Sequence, residues 1–203
     1  MNQIVLSSAY FPNIQYISKF LRHNNIIIDI YEHYSKQTYR NRCNILTSNG
    51  VLALSVPVKK NYHCFTKNIE IDYSENWQKT HERAILSAYK NSPFYDYYID
   101  EISIFFKIKE KYLYQLNQKI LDKILSILKI EKNYSFSTDF IVSDKILNLR
   151  DTISPKTTKN KYDPDFKISP YIQVFSDKFG FCENLSILDL IFMLGPVAIE
   201  NLQ

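Results

Sequence analysis

QIVLSSAYFPNIQYISKFLRHNNIII, residues 3–28, decides the fold. Its first part is short, partly β-branched and stops at Phe11-Pro12-Asn13, where Asn13 is a natural N-cap for a helix starting at Ile14. Ile14, Ile17, Phe20 and Leu21 then fall on one face at helical spacing, up to about His23. Ile26-Ile27-Ile28 follows as a continuous apolar run, the mark of a strand buried on both faces. Strand, helix and buried strand in that order make a β-α-β opening.

Outward from this unit, residues 36–46 and 51–58 are β-prone and flank Thr47-Ser48-Asn49-Gly50, which predicts an antiparallel hairpin. Ile69-Glu70-Ile71 has the composition of a short edge strand. Trp77, His81, Ala84, Ile85 and Ala88 mark a helix that begins near residue 74 or 76 and ends before Pro93. Residues 94–106 read as helical with aromatic anchors. Residues 111–130 carry the clearest stripe, through Leu113, Leu116, Ile120, Ile124 and Leu128, and residues 134–142 return as a strand. Residues 151–170 have no apolar period and contain Pro155, Pro164 and Pro170, the composition of a functional loop, mobile without ligand and lying over a pocket. Ser186 then caps an apolar helix that stops at Gly195-Pro196. The expectation is an α/β fold: a β-α-β opening and a mixed sheet with an antiparallel hairpin, covered by helices, in one domain over residues 1–203.

Composition narrows the function. With 45% hydrophobic and 23% charged residues the 203-residue chain can bury a sizeable core. Only 3 glycines exclude a Gly-rich phosphate loop. A formal charge of +4 suits an anionic small molecule and is too small to argue for nucleic acid. Cys43, Cys64 and Cys182 lack any CxxC pairing, which fits a reducing cytoplasm and offers neither a disulfide framework nor a zinc site. No stretch predicts a membrane span. Nothing in the sequence implies a cofactor or a metal. Tyr (16) and Phe (13) accompany abundant Lys, Asn and Ile, so the aromatic content reflects ordinary core and surface use.

Two constellations can carry chemistry. If residues 36–42 are extended, Lys36, Thr38, Arg40 and Arg42 share a face, three cations and a hydroxyl suited to a phosphate or carboxylate. Asn41 lies within the same run. His81 stands between Trp77 and Ile85 on the apolar stripe of its helix, so it is either a satisfied core histidine or a general base opening onto a cleft. Glu32 and His33 follow the Ile26–Ile28 run and read as a chain-end surface pair, although open α/β sheets often place binding groups at such a point. Cys43 falls on the strand face opposite Arg40 and Arg42, which argues against a catalytic thiol.

Six pieces carry a resemblance: Ser8-Ala9-Tyr10-Phe11-Pro12; EHYSKQTYRNR at 32–42; Leu54-Ser55-Val56-Pro57-Val58; Asn76-Trp77 with His81; Ser92-Pro93-Phe94; and Asn184 through Leu190 with Gly195-Pro196. Their order and spacing resemble the WbqC-like protein family in its short version; longer members have a further α/β portion where this chain has residues 151–170. The resemblance implies a bacterial cytoplasmic protein of surface-polysaccharide or O-antigen loci. With that context, the leading expectation is a transferase acting on an anionic or nucleotide-sugar substrate, with Lys36, Thr38, Arg40, Asn41 and Arg42 of the run above binding it and His81 as general base. The alternative is a non-catalytic binding or assembly protein of the same pathway.

Overall fold

The structure is a computed structural model that describes residues 3–59, 64–142, 146–155, 163 and 165–202. β1 (Ile4–Ser7), α1 (Ile14–Arg22) and β2 (Ile26–Asp29) form the expected opening, and β1 and β2 pair in parallel, Ile4 with Ile26 through Ser7 with Asp29. Parallel neighbours need a crossover, and α1 supplies it. Asn13 caps α1 as its spacing predicts, its side-chain oxygen accepting from Tyr16 N at 3.1 Å.

β3 (Arg42–Thr47) and β4 (Gly50–Ser55) make the antiparallel hairpin. It stands as its own two-stranded sheet. The turn residues are Ser48-Asn49, and Gly50 opens β4 at φ +99, a conformation that favours glycine. The strand begins only at Arg42, so residues 36–41 are not extended as the sequence reading supposed. They bend, with Gln37 at φ +59 and Thr38 Oγ1 donating to Ser35 O at 2.8 Å. Ile69 to Ile71 makes isolated bridges to Tyr112 and Val58 and forms no strand.

α2 (Trp77–Tyr89), α3 (Tyr95–Ser103) and α4 (Leu113–Ile127) follow at the predicted places. The chain then returns to the sheet as β5 (Tyr134–Phe136), parallel to β2, and β6 (Leu147–Asn148), parallel to β1. The sheet order is β5-β2-β1-β6. From β1 the chain steps towards β2 and β5, and later crosses to lay β6 on the other side. The gap between β1 and β6 is therefore the point at which strand order reverses.

One turn of helix, α5 (Ser176–Phe179), precedes α6 (Ile187–Leu194), which is apolar on nearly all sides and buried among α1, α3 and β3. Asp189 within it is fully buried, accepting from Tyr171 Oη at 2.6 Å and Gln173 Nε2 at 3.0 Å, and burial pushes its carboxyl up. Of residues 151–170, 156–162 and 164 lie outside the described residues. Thr152, Ile153 and Ser154 are buried, and Asp163 pairs with the buried Lys19 at 2.6 Å.

Gly195 ends α6 at φ +54, and a Cβ built there would lie 2.5 Å from the Phe94 ring. The Phe94 backbone is held beside α6, its N–H donating to Phe192 O at 3.0 Å, so the ring itself would have to turn to admit a methyl group. Gly195→Ala should therefore lower stability by about 1–3 kcal/mol, from left-handed strain and overpacking together. A urea-unfolding midpoint equal to that of the wild type would contradict this packing.

Candidate functional site

Polar groups converge on the carboxyl ends of the parallel strands, where open α/β sheets bind ligands at the reversal of strand order. Ser7 ends β1, Asp29 ends β2, and Arg150 follows β6 closely. A small cleft there is lined by Ser7, Ser8, Tyr16, Arg40, Arg150 and Ile153, with a volume of about 10 Å³, room for about one water molecule.

Two ion pairs are buried beside it. The Arg40 guanidinium forks onto Glu32, Nε to Oε1 at 2.7 Å and Nη2 to Oε2 at 2.5 Å, with both side chains almost wholly out of solvent. Burial pushes the Glu32 carboxyl up, against the opposing pull of Arg40. Arg150 Nη1 pairs with Asp29, whose other oxygen accepts from Tyr31 N at 2.9 Å and Ser137 Oγ at 2.8 Å. Backbone carbonyls are pinned as well. Asn117 Nδ2 donates to Arg40 O and to Ser8 Oγ, each at 2.8 Å, and Tyr16 Oη donates to Ser7 O at 2.8 Å.

The N-terminus of α1, a usual phosphate cradle at this place in α/β folds, is occupied by the chain itself. Ile14 N donates to Leu185 O, Gln15 N to Asn184 Oδ1 and Tyr16 N to Asn13 Oδ1. An anion must be held elsewhere. A groove of about 390 Å³ on the other side of the 38–41 turn is lined by Tyr34, Lys36, Asn41, Arg42, Pro57 and Lys59 among others, and among the described residues no acidic side chain lines it. Arg42 donates to Ser55 Oγ at 3.1 Å and, among the described residues, pairs with no carboxylate. Lys59 shares the surface carboxylate of Glu70.

The bend at residues 36–41 thus divides the predicted run between two places. Lys36, Asn41 and Arg42 meet at the groove, whereas Arg40 turns inward to the cleft and Thr38 is buried shaping the bend. Glu32 is no surface residue; it is 4% exposed and held by Arg40. His33 is exposed and stacks on Phe65. Cys43 is buried, and burial pushes its thiol up.

His81 is not brought to either place. It lines neither the cleft nor the groove, is 4% exposed among Tyr10 and Trp77, and lies 2.9 Å from Tyr10 Oη through Nδ1. Burial pushes its pKa down to about 4, with the Ser55 backbone pulling the other way. Those contacts are the pattern of a satisfied core histidine.

The model of the WbqC-like protein family matches residues 7–201, a span that takes in the cleft and the groove. The chain belongs to the WbqC-like protein family. No curated protein and no solved structure matches it. In this WbqC-like chain, sequence reasoning passed over Ser7, Asp29 and Arg150. An acid directly ending an apolar triplet was the one available sign for Asp29. Arg150 follows a strand of two residues, too short to leave a pattern.

The burial of neutral His81 has a pH signature. The unfolded imidazole takes a proton near 6.5 and the folded one only near 4, so stability is full above pH 6.5 and falls as pH drops towards 4. The size of this contribution is about 3 kcal/mol, from about 1.4 kcal/mol per pKa unit. Urea unfolding from pH 7 to 4.5 should show a fall that is shallower in His81→Gln. Parallel curves for the two proteins would contradict the buried, neutral assignment.

Proposed function

We propose that this chain is a transferase of bacterial surface-polysaccharide (O-antigen) biosynthesis that holds an anionic, nucleotide-sugar substrate in the groove at Lys36, Asn41 and Arg42. Membership of the WbqC-like protein family is consistent with a role in polysaccharide biosynthesis. The observation that carries the reading is the groove itself, lined among the described residues by three cations and no acid, on the opposite side of one turn from a cleft at the reversal of strand order. A diphosphate needs cations in a concave site, and a guanidinium serves it by paired hydrogen bonds. Tyr34 and Pro57 give the same groove an apolar wall for a ring.

The sequence reading gave the proton-accepting role to His81. Its enclosure between Tyr10 and Trp77 favours a structural role, and beside the cleft Glu32 is a buried carboxylate 3.3 Å from the partly exposed Ser7 hydroxyl. Thr38 likewise supports the shape of the turn, and Arg40 supports Glu32.

UDP-N-acetylglucosamine and UDP are suitable probes. Arg42→Ala should weaken their binding about 10- to 150-fold, the equivalent of a charge-assisted hydrogen bond worth about 1.5–3 kcal/mol. Its melting temperature should stay close to that of the wild type, since Arg42 is half-buried and makes one neutral hydrogen bond to Ser55. Calorimetric titration reads both affinities. Equal affinity in variant and wild type, or no binding to either, would remove the groove from the substrate site.

A further inference from the structure

Ser7 is placed differently from the other hydroxyls of the cleft. It is the last residue of the central strand β1, it is only partly buried, and it lines the cleft. Its Oγ lies 3.3 Å from Glu32 Oε2 and 3.3 Å from Arg150 O, so its one proton is shared between two long hydrogen bonds. Glu32 is buried and cannot turn, because the Arg40 fork grips both of its oxygens. Arg40 is itself fixed at its backbone by Asn117, and Ser7 at its backbone by Tyr16. A hydroxyl facing a cleft, a desolvated carboxylate beside it, and a third group that orients the carboxylate are the three parts of an activated nucleophile.

A purely structural ion pair explains this less well. A buried carboxylate and guanidinium pay a desolvation penalty that apolar residues of equal volume would avoid, so the pair is a poor device for stability alone. Fixed rotamers held by a second layer of hydrogen bonds are what a reacting group needs.

We propose that Ser7 is a nucleophile, with Glu32 as its general base and Arg40 as the residue that positions Glu32, and that the group transferred here is a small acyl group supplied by an activated ester or thioester. Ser7 Oγ attacks the acyl carbonyl carbon while its proton passes to Glu32 Oε2. The bond from carbon to the leaving sulfur or oxygen breaks, and the leaving group takes the proton from Glu32. The acceptor's amine or hydroxyl then attacks the acyl-serine, its proton passes to Glu32, and Ser7 Oγ recovers a proton as the ester bond breaks. The sum is transfer of one acyl group from donor to acceptor, with no oxidation or reduction. The cleft is small, about 10 Å³ with Ile153 in its lining, which disfavours any acyl group larger than one or two carbons. The inference rests on the transferase reading for the identity of the acceptor and on the cleft alone for the nucleophile.

The test uses p-nitrophenyl acetate with the full chain, followed by peptide mapping in a mass spectrometer. Acetylation should be found on Ser7, be absent in Ser7→Ala, and persist as a thioester in Ser7→Cys. Glu32→Gln should slow it by about 10²-fold or more, the ordinary size of a general-base contribution. Because that variant leaves Arg40 buried without its carboxylate, the wild-type pH profile provides a second reading that needs no substitution. The rate of Ser7 labelling should fall with acid at a pH above the ordinary carboxylate range. Arg40→Lys, which loses the fork, should move that midpoint upward. Acetyl groups on lysines with Ser7 unmodified, or labelling of Ser7 indifferent to both pH and Glu32→Gln, would overturn the proposal. The ester does not need the groove, so Ser7 labelling without UDP-sugar binding rejects the groove alone, and the reverse result rejects the nucleophile alone.

Discussion

Parallel strands cannot be joined by a tight turn, and this chain is organised by that restriction. Each of β1, β2, β5 and β6 must be re-entered from the same end, so all four finish at one edge of the sheet. Whatever directly follows a strand is delivered to that edge with little freedom. Ser7 and Ser8 arrive there from β1, Asp29 and Glu32 from β2, Ser137 from β5 and Arg150 from β6. Sequence distances of more than a hundred residues, as between Asp29 and Arg150, collapse to hydrogen-bond contact by topology alone.

The same edge is where the fold departs from the cheapest arrangement. Most of the core is apolar, with Ile4, Leu6, Ile14, Ile17 and Phe192 among its fully buried side chains, although Asp189 and the Lys19–Asp163 pair are buried away from this edge. At the strand ends it encloses Glu32 with Arg40 and Asp29 with Arg150. Removing one member of such a pair is strongly destabilising, whereas the pair as a whole contributes little net stability. The C-terminal segment shows a contrasting use of polar groups. Asn184, Leu185 and Ser186 bind the start of α1 and its approach, and α6 then fills the core, so the two ends of the chain hold each other. That clasp occupies the helix terminus that would otherwise receive phosphate, whereas the groove beside β3 and β4 offers both free space and positive charge.

Much of the fold was legible because the signals were local. Asn13 before Ile14, the Ile26 triplet, the turn near Asn49 and the long stripe of α4 each act over a few residues. The site was legible only in part. Alternation placed Lys36 and Arg42 together and Asn41 on the opposite face, and it needed a strand where Thr38 and Gln37 make a bend that brings all three to the groove. Glu32 looked like a surface residue because its partner, Arg40, reaches it only through that bend. His81 shares its stripe with Trp77 whether it faces a cleft or the core, and only the position of Tyr10 separates the two. β6 has two residues, and no periodicity can be read from two.

The central claim is that the carboxyl edge of the sheet and the groove beside it form the working face of this protein. An amide-resolved NMR titration with UDP-N-acetylglucosamine tests it most directly, since every backbone N–H reports on its own surroundings. The account predicts that the shifts that saturate with ligand cluster at Lys36 to Arg42, at Ser55 to Lys59 and around Ser7, Glu32 and Arg150. Saturating shifts confined to the surface around Tyr97 and Pro196, or gathered about His81 with the strand ends silent, would contradict it.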